Sequence, residues 1–364
     1  MIAIDVRWLN ASGIGTYLRN IVPGILAAFP ERNFVLLGNR DEIAEIKSPS
    51  GAKVVVVAAD SRMYSIGEQL EIPKKIPKET QLYFSPHYNI PLGYRGRLLV
   101  TVYDLFHLAM PHLVGGIHKR LYARYMFNAV RRRADAILTI SQFTKDELIR
   151  FTGEGRQQIF PIHLGVDESW FNVKPVSNPH GKLYLLYVGN VKPHKNLGAL
   201  IRAFGSLTDE IEHDLILVGK REGFITGDSS PAFEAKILQG RVHFTGRVGD
   251  AILKQYVVSA DVLVFPSFYE GFGLPPLEAM AAGCPVISSN AASLPEICGD
   301  AALFCDPYSP ADIAGKIRLL LGDGALRDKL RAKGAIRARR FTWGKCISET
   351  CRVIDGLLPQ RPGL

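Results

Sequence analysis

Short apolar runs alternate with stretches of helical periodicity along the whole chain. In the first half, strands are expected at Ile2–Val6, Asn33–Leu37, Lys53–Ala58, Leu82–Ser85, Arg97–Tyr103 and Ala136–Ile140. Several of these are apolar at consecutive positions, as strands covered on both faces of a parallel sheet are. Helical patterns lie between them, notably Gly15–Ala28, His118–Arg132 and Gln142–Phe151. The alternation then restarts, with strands at Leu183–Val188, Asp214–Val218, Val242–Thr245, Val262–Phe265, Val286–Ser288 and Ala302–Phe304. Its helices are expected near Lys195–Leu207, Ala251–Ser259, Pro276–Ala282 and Pro310–Leu321. Between the two sets, Pro161–Gly181 reads as a linker. This pattern is α/β: two Rossmann-like, doubly wound domains facing each other across a cleft, residues 1–170 and 171–342. The last helix, 343–357, is expected to pack back on the first domain.

Composition narrows the class. At 364 residues, two domains are the default, and 47% hydrophobic with 22% charged residues is ordinary for a folded globular chain. No apolar run approaches the ~20 residues of a membrane span, and the N-terminus starts as a strand without the features of a signal peptide. A cytoplasmic protein is the expectation. Five cysteines without Cys-x-x-Cys spacing argue against disulfides and structural zinc. The net charge of +9 fits nucleic acid, an anionic membrane surface or an anionic substrate, and no nucleic-acid-binding motif accompanies it.

The chemistry concentrates in the second half. Glu270 and Glu278 stand eight residues apart in Glu-Gly-Phe-Gly-Leu-Pro-Pro-Leu-Glu, shortly after an apolar strand. Gly271 and Gly273 let backbone come close to a ligand, and Pro275 and Pro276 suit a first helical turn. The amides from Gly271 through Phe272 and Gly273 to Leu274 can then face an anion at a helix start. Two carboxylates around an anion-binding loop fit a diphosphate with hydroxyl-bearing groups on both sides, a nucleotide-sugar. Basic residues follow three other strands: Lys192 and Lys195 after Gly189, Lys220 after Gly219, and Arg247 after Gly246.

These segments resemble the family 4 retaining glycosyltransferases of the GT-B fold, the group 1 glycosyltransferases, with a mannosyltransferase-like character. The resemblance rests on Val-Gly-Asn-Val-Lys-Pro-His-Lys-Asn, Phe-Thr-Gly-Arg-Val, Ser-Ala-Asp-Val-Leu-Val-Phe-Pro-Ser and Glu-Gly-Phe-Gly-Leu-Pro-Pro-Leu-Glu-Ala-Met. It implies that Glu278 binds the donor ribose, that Glu270 faces the donor sugar, and that Lys195 binds the diphosphate. Asn190 stands where relatives often carry an arginine, so Lys192 or Arg247 is expected to supply that charge. Retention by front-face attack then needs stabilised diphosphate charge rather than an acid/base pair. No Asp-x-Asp occurs, so neither a metal nor another cofactor is expected.

In the first half, Gly13 and Gly15 follow the first strand as a loose Gly-x-Gly and are expected to approach the donor phosphates. Asp104 keeps its family position, Tyr103 replaces the histidine usually before it, and His107 is the nearby substitute. His87 is a further candidate. The basic stretch from His118 to Arg133 mixes Leu121, Tyr125, Asn128 and Val130 with Lys119, Arg120, Arg124 and Arg131 to Arg133, a pattern suited to anionic lipid headgroups. The expected activity is transfer of a sugar, mannose from GDP-mannose as first choice, to a glycan or lipid-linked acceptor in surface-glycan, lipopolysaccharide or exopolysaccharide assembly. The alternative is a non-catalytic nucleotide-sugar-binding subunit.

Overall fold

The computed structural model describes residues 1–46, 51, 53–219 and 240–359. They divide into two units: unit 1 holds Met1–Leu108, Gly116–Gly165 and the segment from Trp343, and unit 2 holds Ala109–Gly115 and Val166–Thr342. Lys220 lies outside the described residues.

Unit 1 is built on seven strands: β1 (Ile2–Asp5), β2 (Asn33–Gly38), β3 (Lys53–Ala58), β4 (Leu82–Ser85), β5 (Leu98–Val102), β6 (Ala136–Thr139) and β7 (Gln158–Pro161). All pair in parallel, in the order β3-β2-β1-β4-β5-β6-β7. β1, β4 and β5 are buried along their whole length, which is why their sequences are apolar at consecutive positions rather than alternating, with Asp5, Ser85 and Thr101 as the buried polar exceptions. β7 has no counterpart among the sequence expectations. It is a four-residue edge strand ending in proline, where a missing N–H costs the ladder nothing. The helices are α1 (Ser12–Ala28), α2 (Arg40–Ala44), α3 (Ile66–Lys75), α4 (Phe106–Ala109), α5 (Ile117–Arg133) and α6 (Gln142–Thr152). The Ser141 hydroxyl oxygen accepts from the Thr144 N–H to start α6, and Gly153 at φ 77° ends it.

Unit 2 carries β8 (Tyr184–Val188), β9 (Asp214–Val218), β10 (Val242–Gly246), β11 (Val262–Phe265), β12 (Val286–Ser289) and β13 (Leu303–Cys305). The order is β10-β9-β8-β11-β12-β13, again all parallel. Around this sheet lie α7 (Leu197–Gly205), α8 (Asp250–Val258), α9 (Leu274–Ala281), α10 (Leu294–Cys298), α11 (Pro310–Gly322) and α12 (Gly324–Ala338). The sequence reading contains no α12. Its buried stripe is Leu330, Gly334 and Ala338, two of them too small to register as an apolar face. A Cβ on Gly334 would lie 3.1 Å from Met280 Cγ, so α12 sits close against α9 because that residue has no side chain. α13 (Trp343–Leu357) returns to unit 1 and packs on α1, where Gly24 leaves room for Ile347.

The segment from Val166 already belongs to unit 2. Trp170 is buried there under Lys254, whose ammonium stands 5.5 Å from the ring centroid and donates to the Ser169 hydroxyl. All five cysteines are free, and four are buried. In each sheet the strand order reverses at one point, between β1 and β4 in unit 1 and between β8 and β11 in unit 2. Loops leaving the C-terminal strand ends diverge at such a point and open a crevice.

Candidate active site

The unit 2 crevice joins the two strongest sequence candidates. After β8, Gly189 takes φ 157°, and the turn Pro193–Lys195 ends in Asn196 at φ 59° and ψ 36°, the left-handed region that asparagine tolerates. Asn196 is buried. Its Nδ2 donates to the carbonyl oxygens of Pro266 at 3.0 Å and Pro307 at 2.6 Å, tying the turn to the chain beyond β11 and β13. A backbone bond from Phe268 N–H to His194 O, 2.8 Å, adds a second tie. Lys195 is thereby held against the loop after β11, with Nζ 2.5 and 2.7 Å from the two Glu270 carboxylate oxygens. The lysine and glutamate side chains keep 18% and 13% exposure, so the pair is sheltered yet reachable.

The loop carrying Glu270 is braced from beneath. The fully buried Ser293 places its hydroxyl 2.9 Å from Glu270 O and 2.6 Å from Phe272 O. Gly271 and Phe272 are buried, and Gly273, at φ 142°, precedes α9. A Cβ on Gly273 would meet Leu294 Cδ2 at 2.9 Å, so the tight entry to the helix requires glycine. Because Pro275 and Pro276 have no N–H, the helix start can offer a ligand only the Gly273 and Leu274 amides.

Glu278 lies one turn into α9 and is only partly exposed. Burial pushes its carboxyl up to about 7; Asp250 and Asp167 push the same way, and Lys254 opposes them. The other basic candidates differ in setting. Lys192 and Arg247 are exposed beyond β8 and β10, while Asn190 is half-buried. Of the glycines at the ends of β8, β9 and β10, Gly219 serves close backbone packing, since a Cβ there would stand 2.0 Å from Gly189 O, whereas Gly246 has open space around it and takes φ 72°.

In unit 1, His87 lies in the loop after β4, and Asp104 and His107 follow β5. The Asp104 carboxylate accepts from Phe106 N–H at 3.0 Å and so caps α4, the short helix that carries His107. His107 is near enough to His87 to act on it electrostatically. His87 itself is structural in chemistry. Its Nδ1 accepts from Asn89 N–H at 3.1 Å, which leaves the Nε2 proton for the Tyr64 hydroxyl at 3.3 Å. Its ring stacks on Trp8 at 4.3 Å. Burial, with His107 and Arg7 adding to it, drives its pKa down to about 3, so His87 stays neutral and takes up no second proton at ordinary pH.

Beside it, Arg7 pairs with Asp5 at 2.6 Å and Glu68 at 2.8 Å, all buried, a network that no motif announced. Gly15 is explained by packing, since a Cβ there would stand 2.1 Å from Leu9 O. Its amide donates to Ala11 O within α1 and is thus already used, unlike the expected approach to a phosphate. Gly13 is exposed in the first turn of α1, with open space around it. The Tyr103 hydroxyl is buried and has no hydrogen-bond partner among the described residues, and its ring packs edge-on to Tyr17.

Comparison with known proteins agrees with this geometry. Residues 168–337, nearly all of unit 2, match the family model "Glycosyl transferases group 1". The chain is 32% identical over 282 residues to the O-antigen chain mannosyltransferase B of Escherichia coli, covering 74% of this chain and 72% of that protein. It is 30% identical over 223 residues to the serotype-specific mannosyltransferase WbdA of the same species, matching 58% of this chain but only 27% of that longer protein. Among solved structures, Anabaena HepE in complex with UDP and glucose superposes with a TM-score of 0.77 at 18% identity, over 98% of this chain and 99% of that one. Two parallel sheets with flanking helices, a match over most of a curated relative and the family model together place this chain in the group 1 glycosyltransferases, with the GT-B fold.

Proposed function

We propose that the chain transfers a mannosyl group from a nucleotide-sugar, GDP-mannose first, to a hydroxyl of a glycan or lipid-linked acceptor, with retention and without a metal ion. The reading rests above all on the Lys195–Glu270 pair at the unit 2 crevice. In this scheme the bond from the anomeric carbon to the diphosphate oxygen breaks. The acceptor oxygen bonds to that carbon on the same face, and its proton passes to the departing phosphate oxygen. Negative charge therefore grows on the diphosphate, where Lys195 and the Gly273 and Leu274 amides stabilise it electrostatically. Glu270 holds a sugar hydroxyl and faces the positive charge developing at the anomeric carbon. Glu278, once ionised, accepts from two ribose hydroxyls. Both relatives are named as mannosyltransferases, which supports the choice of mannose, and one is named for the O-antigen chain, which supports surface-glycan assembly.

The reading extends to a membrane-borne acceptor. Among the described residues no helix is long and apolar enough to cross a membrane. On α5, Ile117, Leu121 and Tyr125 recur every four residues with 74%, 59% and 61% exposure, and Lys119, Arg120 and Arg124 are exposed around them. α3 adds Ile66 and Leu70, 82% and 60% exposed. The expected basic face is shorter at its end. Arg131 is buried and bonds Gly153 O, and Arg133 donates to the Leu92 and Tyr94 carbonyls, because the C-terminus of α5 packs on the core. Three exposed cations at about 1 kcal/mol each near an anionic surface suffice for reversible contact.

The test is a thermal-shift screen of GDP-, UDP-, ADP- and dTDP-sugars, followed by transfer of radiolabelled sugar from the stabilising donor. Stabilisation by none of them, or binding without hydrolysis or transfer, overturns the catalytic reading; the second result points to a binding subunit.

A further inference from the structure

At the opposite ends of the unit 2 strands, three side chains converge that the transfer reaction does not use. His180 sits in the turn before β8, Asp214 is the first residue of β9, and His243 is the second of β10. Nε2 of His180 and Nε2 of His243 both approach one oxygen of Asp214, Oδ2, at 2.7 and 3.1 Å. The three candidate donor atoms all lie within 4.8 Å of one another. A tetrahedral ion with arms of about 2.0–2.1 Å sets its donor atoms about 3.3 Å apart. Sub-ångström shifts of the two rings therefore suffice to admit one.

The donors are also held in place. The Asn178 carboxamide oxygen accepts from the His180 and Gly181 amides at 2.9 and 3.0 Å, fixing the turn that carries His180. Arg241 Nε binds the other Asp214 oxygen at 3.0 Å and orients the carboxylate. That guanidinium also donates to the carbonyls of Thr208 and Ile211, which spreads its charge away from the site. Asp214 is 2% exposed and His243 38%, so the trio is closed on the sheet side and open to water on the other.

We infer that His180, Asp214 and His243 form a binding site for a borderline transition-metal dication, of the zinc, cobalt or nickel class, that staples the starts of β8, β9 and β10. Two imidazoles and one carboxylate select that class over magnesium and calcium, which take oxygen ligands. On binding, each neutral imidazole carries its proton on Nδ1 and turns the Nε2 lone pair to the metal, and water completes the shell. β8 separates the trio from Lys195 by roughly 15 Å at ~3.3 Å per strand residue. The metal is thus a stabiliser of the sheet's β10 edge and takes no part in transfer.

The experiment uses the untagged full chain, stripped with a chelator and dialysed. Addition of ZnCl2 or CoCl2 should raise the apparent Tm in a saturable way, MgCl2 should not, and Co2+ should show the visible bands of a four-coordinate complex. His180→Ala and His243→Ala, singly and together, should abolish both signals; the exposed His243 can be removed without opening the core. The inference fails if the parent shows no metal-dependent Tm rise and no cobalt bands. It fails equally if the double variant keeps them, since the ion would then be bound elsewhere.

Discussion

Raising the pH should tighten donor binding, and Glu278 sets the size of the effect. Its carboxyl is held at about 7 by burial, with Asp250 and Asp167 adding to the shift. A neutral carboxyl can donate one hydrogen bond, whereas the ionised form accepts from both ribose hydroxyls. About one molecule in ten is ionised at roughly pH 6 and about nine in ten at roughly pH 8, so the apparent Kd should fall close to tenfold across that span. A nucleotide-sugar is the right ligand, because its diphosphate is esterified at both ends and holds a constant charge there, unlike a free nucleotide. Stability should run the other way. The folded pKa lies above the unfolded value of 4.5. Glu278 therefore contributes stability that is full in acid and is lost as pH rises through about 7. Isothermal titration at several pH values, on the parent and on Glu278→Gln, separates the two effects. The parent should show the slope and the glutamine variant should be flat; Asp250→Asn should move the inflection to lower pH. A parent whose Kd changes less than about twofold, or a glutamine variant with the parent's slope, would refute the assignment of Glu278 to the ribose.

Other outcomes follow from the same geometry. Lys195→Ala should lower kcat about 10²–10³-fold, the usual loss for one donor to a developing anion. A double-mutant cycle with Glu270→Ala should be strongly non-additive because the two side chains touch, and additive losses would mean that they act separately. Asn196→Ala removes two hydrogen bonds to buried carbonyls and places alanine in the left-handed region, at a cost of about 2–3 kcal/mol in chemical denaturation. A change below about 0.5 kcal/mol would show that the tie is not structural. EDTA should leave the transfer rate unchanged, and a rate abolished by EDTA and restored by Mg2+ would overturn the metal-free mechanism. Leu121→Ser with Tyr125→Ser should release the protein from anionic vesicles in sedimentation while leaving donor binding intact.

What could be read without coordinates divides along a physical line. Strands buried on both faces advertise themselves as consecutive apolar residues. Of the thirteen strands among the described residues, twelve have a counterpart in the sequence reading; β7 does not, because an edge strand of four residues is under no such demand. Lys195 and Glu270 were visible as charges in the loops that follow strands, since charge beyond a strand's C-terminal end is a local property of the sequence. Their contact was not visible, and neither were the residues that enforce it. Asn196 works through two proline carbonyls, 70 and 111 positions away, and Ser293 through carbonyls of the glutamate loop. Backbone acceptors are the same in every residue, so no side-chain pattern marks which of them a distant amide or hydroxyl will find. Asn196 alone left a trace, as an asparagine between a turn and a helix, where a left-handed residue is often needed. The same limit hid α12, whose buried stripe is made by the lack of side chains, and it separated Gly15 from the phosphate role expected of it. A glycine in the sequence records only that a side chain is missing. At Gly15 the space is filled by the Leu9 carbonyl, and at Gly273 by Leu294, where the same tightness opens a helix start toward the crevice. A glycine motif thus marks a place where chain packs closely, inside a helix at Gly15 and at a helix entry at Gly273, and whether it serves a ligand or only the chain depends on what lies against it.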